Sequence, residues 1–329
     1  MSSVPERPLV SDVFSFRNER QNIPTLIARL DAMFARAGVD YELLFVNDAS
    51  DDGSLEALVE ARSRNSHVKV VNMSRRFGVS ECARAGMSAS SGDATIIMDA
   101  DLQDPPEVVP QLIEKWRAGA DVVHTVRTHR RGESAAKMML TRLAYRIIHL
   151  GSSIELPVDA GDFKLLSRPA LNHLLALGES DPYLRGLVVW IGFQQAFVPY
   201  ERDARHAGTT HFPFFSRNPW KTFAMGLTSF SFMPIFGVIG LAAGACVVTL
   251  ALVLTTTVLL IARGTVSAAL ALVTIGAVFW ATTLAAISAI GIYVIRIYKD
   301  GRNRPQYIVA STIGLSQASQ DVLAERATR

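Results

Sequence analysis

Two long stretches without an ionised side chain constrain this sequence more than any other feature. No Asp, Glu, Lys or Arg occurs from Thr222 to Ala262, nor from Gly264 to Ile295. A helix rises about 1.5 Å per residue and the hydrocarbon core of a bilayer is about 30 Å thick, so about 20 apolar residues cross it. Helices also satisfy their own backbone polar groups, as hydrocarbon demands. The two stretches are therefore read as spans over 233–261 and 268–295, with Arg263 and a few small residues turning between them. A single soluble core stops growing near ~250–300 residues, so the remainder of a 329-residue chain is expected to form a unit of its own.

Charge sets the expected orientation. Arg296, Lys299, Arg302 and Arg304 follow the second span, Arg217 and Lys221 precede the first, and the hairpin tip carries only Arg263. Basic flanks remain cytosolic, so both termini are expected there. The opening MSSVPERPLVSDV lacks a basic stretch followed by an apolar one, and no export of the amino-terminal part is expected. Cys82 and Cys246 fall one in the soluble part and one in a span, which argues against a disulfide. Residues 212–232, FPFFSRNPWKTFAMGLTSFSF, mix aromatics with two cations and read as an interfacial amphipathic helix, and residues 296–329 read as a cytosolic tail.

The net charge of +3 and the absence of a basic tract interleaved with aromatics exclude nucleic acid as the expected partner. Basic residues gather instead at 127–146 and 202–221, which suits a small anionic ligand or a lipid headgroup.

In the first two thirds, apolar runs alternate with amphipathic patterns. Strands are expected over Val10–Phe16, Tyr41–Asn47, Val68–Met73, Ala94–Met98 and Asp121–Val126, and helices near 22–37, 54–64, 79–90 and 106–118. This order implies an α/β domain over 1–211 with an open, mainly parallel sheet and helices on both faces. Ligands of such sheets bind beyond the carboxyl ends of the strands. Glu19, Asn47, Asp48, Asp99 and Asp101 all follow strands at that edge. With the chain extended after the fourth strand, Asp99, Asp101 and Gln103 would alternate to one side as oxygen donors for a hard divalent ion. Pro105 and Pro106 would end the strand and open the next helix.

Four stretches, FVNDASDDGS (45–54), SRRFGVSECARAGMSASSGDATIIMDADLQDPPE (74–107), DAGDFKLLSR (159–168) and YLRGLVVWIGF (183–193), resemble family 2 inverting glycosyltransferases. The match is to the polyprenyl-phosphate branch, which includes dolichol-phosphate mannose synthases and bacterial bactoprenol glucosyltransferases. It runs from Val10 to about Tyr307. The resemblance implies a GT-A-type domain followed by the membrane hairpin, in the inner membrane of a bacterium. It also implies metal-dependent, inverting transfer of a sugar from a nucleotide donor, UDP-glucose or a related UDP-sugar, to undecaprenyl or dolichyl phosphate at the cytosolic face.

Carried over position by position, Glu19, Asp48 and Asp99 match donor-binding residues, Asp48 being the carboxylate that reads base and ribose. Asp99 and Asp101 match the DxD motif, with Asp101 and Gln103 implied as ligands of Mg²⁺ or Mn²⁺, and Asp159 and Asp162 complete the catalytic set. Arg127, Arg142, Arg202, Arg205 and His211 match positions that hold the acceptor phosphate or the diphosphate, His211 standing where relatives often have lysine. Ser15 and Arg17 replace the usual proline and tyrosine near the first strand, while Asn18 and Glu19 remain. Open alternatives are GDP-mannose or an aminosugar nucleotide as donor, or a catalytically silent membrane scaffold. Partners so implied are the bilayer, a flippase and further copies of the chain. A processive polysaccharide synthase is disfavoured by the lack of a Gln-x-x-Arg-Trp motif and by the presence of only two spans.

Overall fold

The computed structural model describes residues 5–129, 160–177, 179, 183–202, 233–263, 267–302 and 304–328. Asp159, Arg142, Arg205, His211 and the expected interfacial segment 212–232 lie outside the described residues.

Chain order begins with β1 (Leu9–Phe16), α1 (Ile23–Ala37), β2 (Asp40–Asn47), α2 (Ser54–Arg64), β3 (Val68–Met73), α3 (Val79–Ala89) and β4 (Ala94–Asp99). A 3₁₀ turn (Pro106–Val108) leads into α4 (Val109–Arg117), then β5 (Val122–His129), β6 (Ala160–Ser167), α5 (Arg168–Ala176), α6 (Leu184–Trp190) and β7 (Gln195–Glu201). Two long helices follow, α7 (Met233–Arg263) and α8 (Ala268–Gly301), and then β8 (Val309–Ile313) and α9 (Gln317–Thr328).

The eight strands among the described residues form one sheet in the order β7-β5-β6-β4-β1-β2-β3-β8. The β4-β1-β2-β3 core is parallel, as is the β5-β7 pair, while β6 and β8 run antiparallel to their neighbours. The expected GT-A-type α/β architecture therefore holds, with a more mixed sheet than the alternation of strands and helices implied.

Helix periodicity explains the layers. On α1 the buried residues Ile23, Leu26, Ile27, Leu30, Met33 and Phe34 recur at three- and four-residue spacing, and Gly38 ends the helix at φ 62°, where a side chain would be strained. With Leu58 of α2 and Leu112, Ile113 and Trp116 of α4, this face covers Val10, Phe14, Leu43, Phe45 and Ile96 of the sheet. Each such side chain contributes about 1.5–3 kcal/mol when fully buried. The opposite face is covered by α3, α5, α6 and α9.

Residues 304–328, expected as a tail, return to the domain. Strand β8 pairs with β3, and Tyr307, Leu315 and Leu323 are buried against Val71, Met73 and Cys82. Helices α7 and α8 are long and apolar enough to cross a membrane over Gly240–Ala262 and Ala271–Ile295, with mean hydropathies of 2.5 and 2.0. Large apolar side chains on them, among them Leu241, Ile261, Leu272 and Phe279, point outward.

Candidate active site

Sheet register brings residues from six strands to one edge. Ser15 lies opposite Asp99 and Phe16 opposite Asn47, so β1, β2 and β4 end together and release their loops side by side. Strand β6 enters the sheet at that same edge, because it runs antiparallel with Lys164 opposite Ile97. Val126 pairs with Ala160 and Arg127 with Tyr200, which carries β5 and β7 to the edge as well. Glu19, Asp48, Asp99, Asp101, Gln103, Arg127, Asp162 and Arg202 are thus carried to this one edge.

The backbone is strained where those loops turn. Asn18, Ala49 and Leu102 adopt φ of 59°, 51° and 60°, one after each of β1, β2 and β4. Left-handed backbone at a non-glycine residue costs about 1–3 kcal/mol and clusters at functional sites. Leu102 also corrects the expectation of an extended chain after β4. The chain turns at 100–102 instead, and the acids converge through that turn rather than by alternation. Within it, Asp101 Oδ1 accepts the Gln103 N–H at 3.1 Å. Pro106 opens the following helical segment as expected.

After β2, Asp48 is buried, and its Oδ1 accepts the N–H groups of Phe77 at 2.7 Å and Gly78 at 3.3 Å. Arg17 donates to the carbonyls of Asp48 and Ala49 at 3.1 and 3.0 Å, and Asn18 Nδ2 donates to Asp51 Oδ1 at 2.7 Å. Arg17 therefore staples the first two loops together. The Glu19 carboxylate is buried and accepts from Asn22 Nδ2 at 2.5 Å.

Carboxylates crowd the centre. Asp99 is pushed up to about 7 by desolvation and by Asp101, Asp104 and Asp162, against the pull of Arg202. Arg202 Nη2 stands 3.8 Å from Asp99 Oδ2. Among the described residues no three His, Cys, Asp or Glu side chains close into a metal cage. A hard cation held by one or two carboxylates together with substrate phosphates needs no such cage, and the excess of acid here fits that mode.

Three further residues, given no role from the sequence, organise the arginines. Asp104 is fully buried and accepts from Tyr200 Oη at 2.5 Å and from Arg202 Nε at 3.2 Å, while Tyr200 Oη accepts from Arg127 Nε at 3.1 Å. Arg127 also packs against Gly161, where a Cβ would come within 2.9 Å of its guanidinium. Arg185 of α6 grips Asp162 with two parallel bonds of 2.8 and 2.7 Å. Burial works to raise the Asp162 carboxyl, but Arg185, Lys164 and Arg127 outweigh it and hold the group well below the ordinary range. Asp104 stands inside the acidic stretch, and Arg185 inside a motif already noted. Tyr200 could have been read only from its inward position in an alternating strand.

The family model described as "Glycosyl transferase family 2" matches residues 13–175. The uncharacterized glycosyltransferase YkcC of Bacillus subtilis (strain 168) is 37% identical over 303 residues, 91% of this chain and 92% of that protein. The SfII prophage-derived bactoprenol glucosyl transferase of Shigella flexneri is 33% identical over 314 residues, covering 92% and 96%. The prophage bactoprenol glucosyl transferase homolog of Escherichia coli (strain K12) is 32% identical over 310 residues, covering 92% and 97%. With relatives of this identity aligned along nearly their whole length, and with the acids and arginines assembled at one edge of a GT-A-like sheet, the chain belongs to glycosyl transferase family 2.

Proposed function

We propose that the chain transfers a hexosyl group from a nucleoside diphosphate sugar, UDP-glucose or a related UDP-sugar, to a polyprenyl phosphate with inversion, at the cytosolic face of a bacterial inner membrane. The observation that carries this reading is the division of the edge. Asp48, Asp99 and Asp101 lie at the ends of β2 and β4, and two arginines, Arg202 bonded directly to Asp104 and Arg127 linked to it through Tyr200, come from the ends of β7 and β5; we read the first group as the donor half and the second as the acceptor half. Relatives named bactoprenol glucosyl transferases support the acceptor class.

The acceptor phosphate is already an anion, so its attack on the anomeric carbon needs no strong base. Its difficulty is approach to a second anion. Arg127 and Arg202 offset that repulsion and orient the phosphate oxygens through charge-assisted bonds. Asp48 would accept from the nucleoside, and Asp101 with Gln103 would hold Mg²⁺ or Mn²⁺. When bound, that ion neutralises charge growing on the departing diphosphate. Attack from the face opposite the leaving group inverts the anomeric centre. Purified protein incubated with polyprenyl phosphate and a panel of labelled nucleotide sugars should give one lipid-linked product, from the UDP-sugar. A product from GDP-mannose alone would move the donor assignment, and no transfer from any donor would leave the scaffold reading.

Tyr200→Phe removes the hydroxyl that links Arg127 to Asp104. The Michaelis constant for polyprenyl phosphate should rise about tenfold, with that for the donor within about twofold. An unchanged acceptor constant would detach this network from acceptor binding.

Strand β7 precedes the hairpin and β8 follows it, yet both belong to one sheet. This supports a hairpin whose two ends face the same side, and the basic flanks favour the cytosol. Tags at Met1 and after Arg329 should be reached by protease only from the cytosolic side, and Thr265→Cys should label from outside. Opposite exposure of the two tags would exclude the hairpin.

A further inference from the structure

The loop Ser74–Gly78, between β3 and α3, forms the wall beside Asp48, and its two ends are tied to different parts of the chain. At the far end, Phe77 and Gly78 donate to Asp48 Oδ1. At the near end, Ser74 N–H donates to the carbonyl of Ile308 at 2.9 Å, a residue that follows the second long helix.

Two more links lead from the same region to Asp48. Asn72 lies opposite Ser311 in the β3-β8 pairing, and its Oδ1 accepts from Asn47 Nδ2 at 2.9 Å; Asn47 Oδ1 in turn accepts the Ser50 N–H at 3.0 Å. Leu315 and Leu323 share a buried cluster with Cys82 of α3. The Cys82 thiol is raised far above its ordinary value by burial and by the neighbouring Asp48 carboxylate. Helix α8 ends at Gly301, six residues before Tyr307. Without β8, strand β3 would become an exposed sheet edge and the Ser74 amide would lose its partner.

We propose that the segment Tyr307–Leu323 is a positioning element of the donor site: its docking on β3 and α3 fixes the Ser74–Gly78 loop and, through it, the Asp48 carboxylate, so nucleotide binding depends on the chain that emerges from the membrane hairpin. This rests on the nucleotide-sugar reading of the Asp48 edge. A segment that merely covered the sheet edge would stabilise the whole domain evenly, whereas a positioning element acts on one loop and one substrate.

The test uses the full-length protein in lipid nanodiscs. Leu323→Asp places a charge in the α3-α9 contact, Leu323→Met is the conservative control, and Gly314→Ala is a gentler lever, since Gly314 sits at φ 76° with Arg62 2.8 Å from any added Cβ. In Leu323→Asp, amide exchange over Ser74–Gly78 should accelerate at least about tenfold while exchange over residues 160–176 is unchanged. The donor Michaelis constant should rise about tenfold, with that for polyprenyl phosphate within about twofold. Gly314→Ala should shift the same observables in the same order by less, and Leu323→Met should match the wild type. Unchanged exchange over Ser74–Gly78 would overturn the proposal. So would exchange and both Michaelis constants moving together across the domain in Leu323→Asp and Gly314→Ala alike. If the wild type transfers from no donor, the functional reading falls, while the exchange data still decide whether the segment controls the loop.

Discussion

Asp101→Asn should abolish transfer and leave the protein folded. Asp101 is 5% exposed, and one of its oxygens is already committed to the Gln103 amide. Asparagine has the same shape and retains an oxygen for that amide, so the turn at 100–102 survives. What disappears is one negative charge from a group of four acids crowded enough to push Asp99 up to about 7. Relief of that repulsion means the apo variant should melt no lower than wild type. Activity should nevertheless fall by a factor of about 10³ or more, the size expected when compensation of leaving-group charge is removed. Chelation of wild type should reproduce the loss, with recovery on adding Mg²⁺ or Mn²⁺. Full activity in EDTA would sink the assignment of Asp101. A large drop in melting temperature would turn the variant into evidence about folding rather than chemistry.

The edge where the acids meet was legible because parallel strands in a doubly covered sheet obey a simple rule: apolar runs mark β1 to β4, and residues immediately after them share one side. The two long apolar helices were legible from charge alone. Antiparallel additions were harder. Strand β6, AGDFKLLS, carries Asp162 near its start and Lys164 inside, so its pattern reads as loop; Arg185 compensates Asp162 there, and Asp162 in turn favours the Lys164 charge. Strand β8, VASTI, is short and half polar, and its pairing with β3 is a contact across more than two hundred residues that no local pattern encodes. The turn after Asp99 was misjudged for a related reason. Leucine seldom takes a left-handed backbone, so local preference favoured an extended chain, and tertiary contacts prevailed at Leu102. The link from Asp104 to Tyr200 joins residues 96 apart and became visible only once β7 was paired with β5.

Asp12→Asn should stabilise the protein, increasingly so as pH rises. Asp12 lies in the middle of β1, opposite Leu43 and Ile96 on the neighbouring strands, and shares its face with Val10 and Phe14 in the main core. It is 0% exposed, and neither carboxylate oxygen has a hydrogen-bond partner among the described residues. Burial pushes its carboxyl well above the ordinary range, and the nearby Val13 backbone N–H opposes that only weakly. The sign follows from linkage. The unfolded chain releases this proton near pH ~3.9 while the folded chain keeps it, so the stability due to the protonated group is complete below about pH 4. It declines as pH rises further and levels off only once pH has passed the folded value. The slope for one retained proton is up to about 1.4 kcal/mol per pH unit, or about 2–4 °C for each kcal/mol in a domain of 150–250 residues. Asparagine is nearly isosteric and neutral throughout, so it leaves the packing intact and abolishes this dependence. Melting curves of detergent-solubilised wild type and Asp12→Asn at several pH values between 4 and 8 should diverge steadily, with the variant higher at the alkaline end. Other titrating groups, Asp99 and Glu42 among them, affect both proteins alike and cancel in the difference. A constant gap across that range would mean that Asp12 is ionised in the fold, and therefore that something compensates its charge.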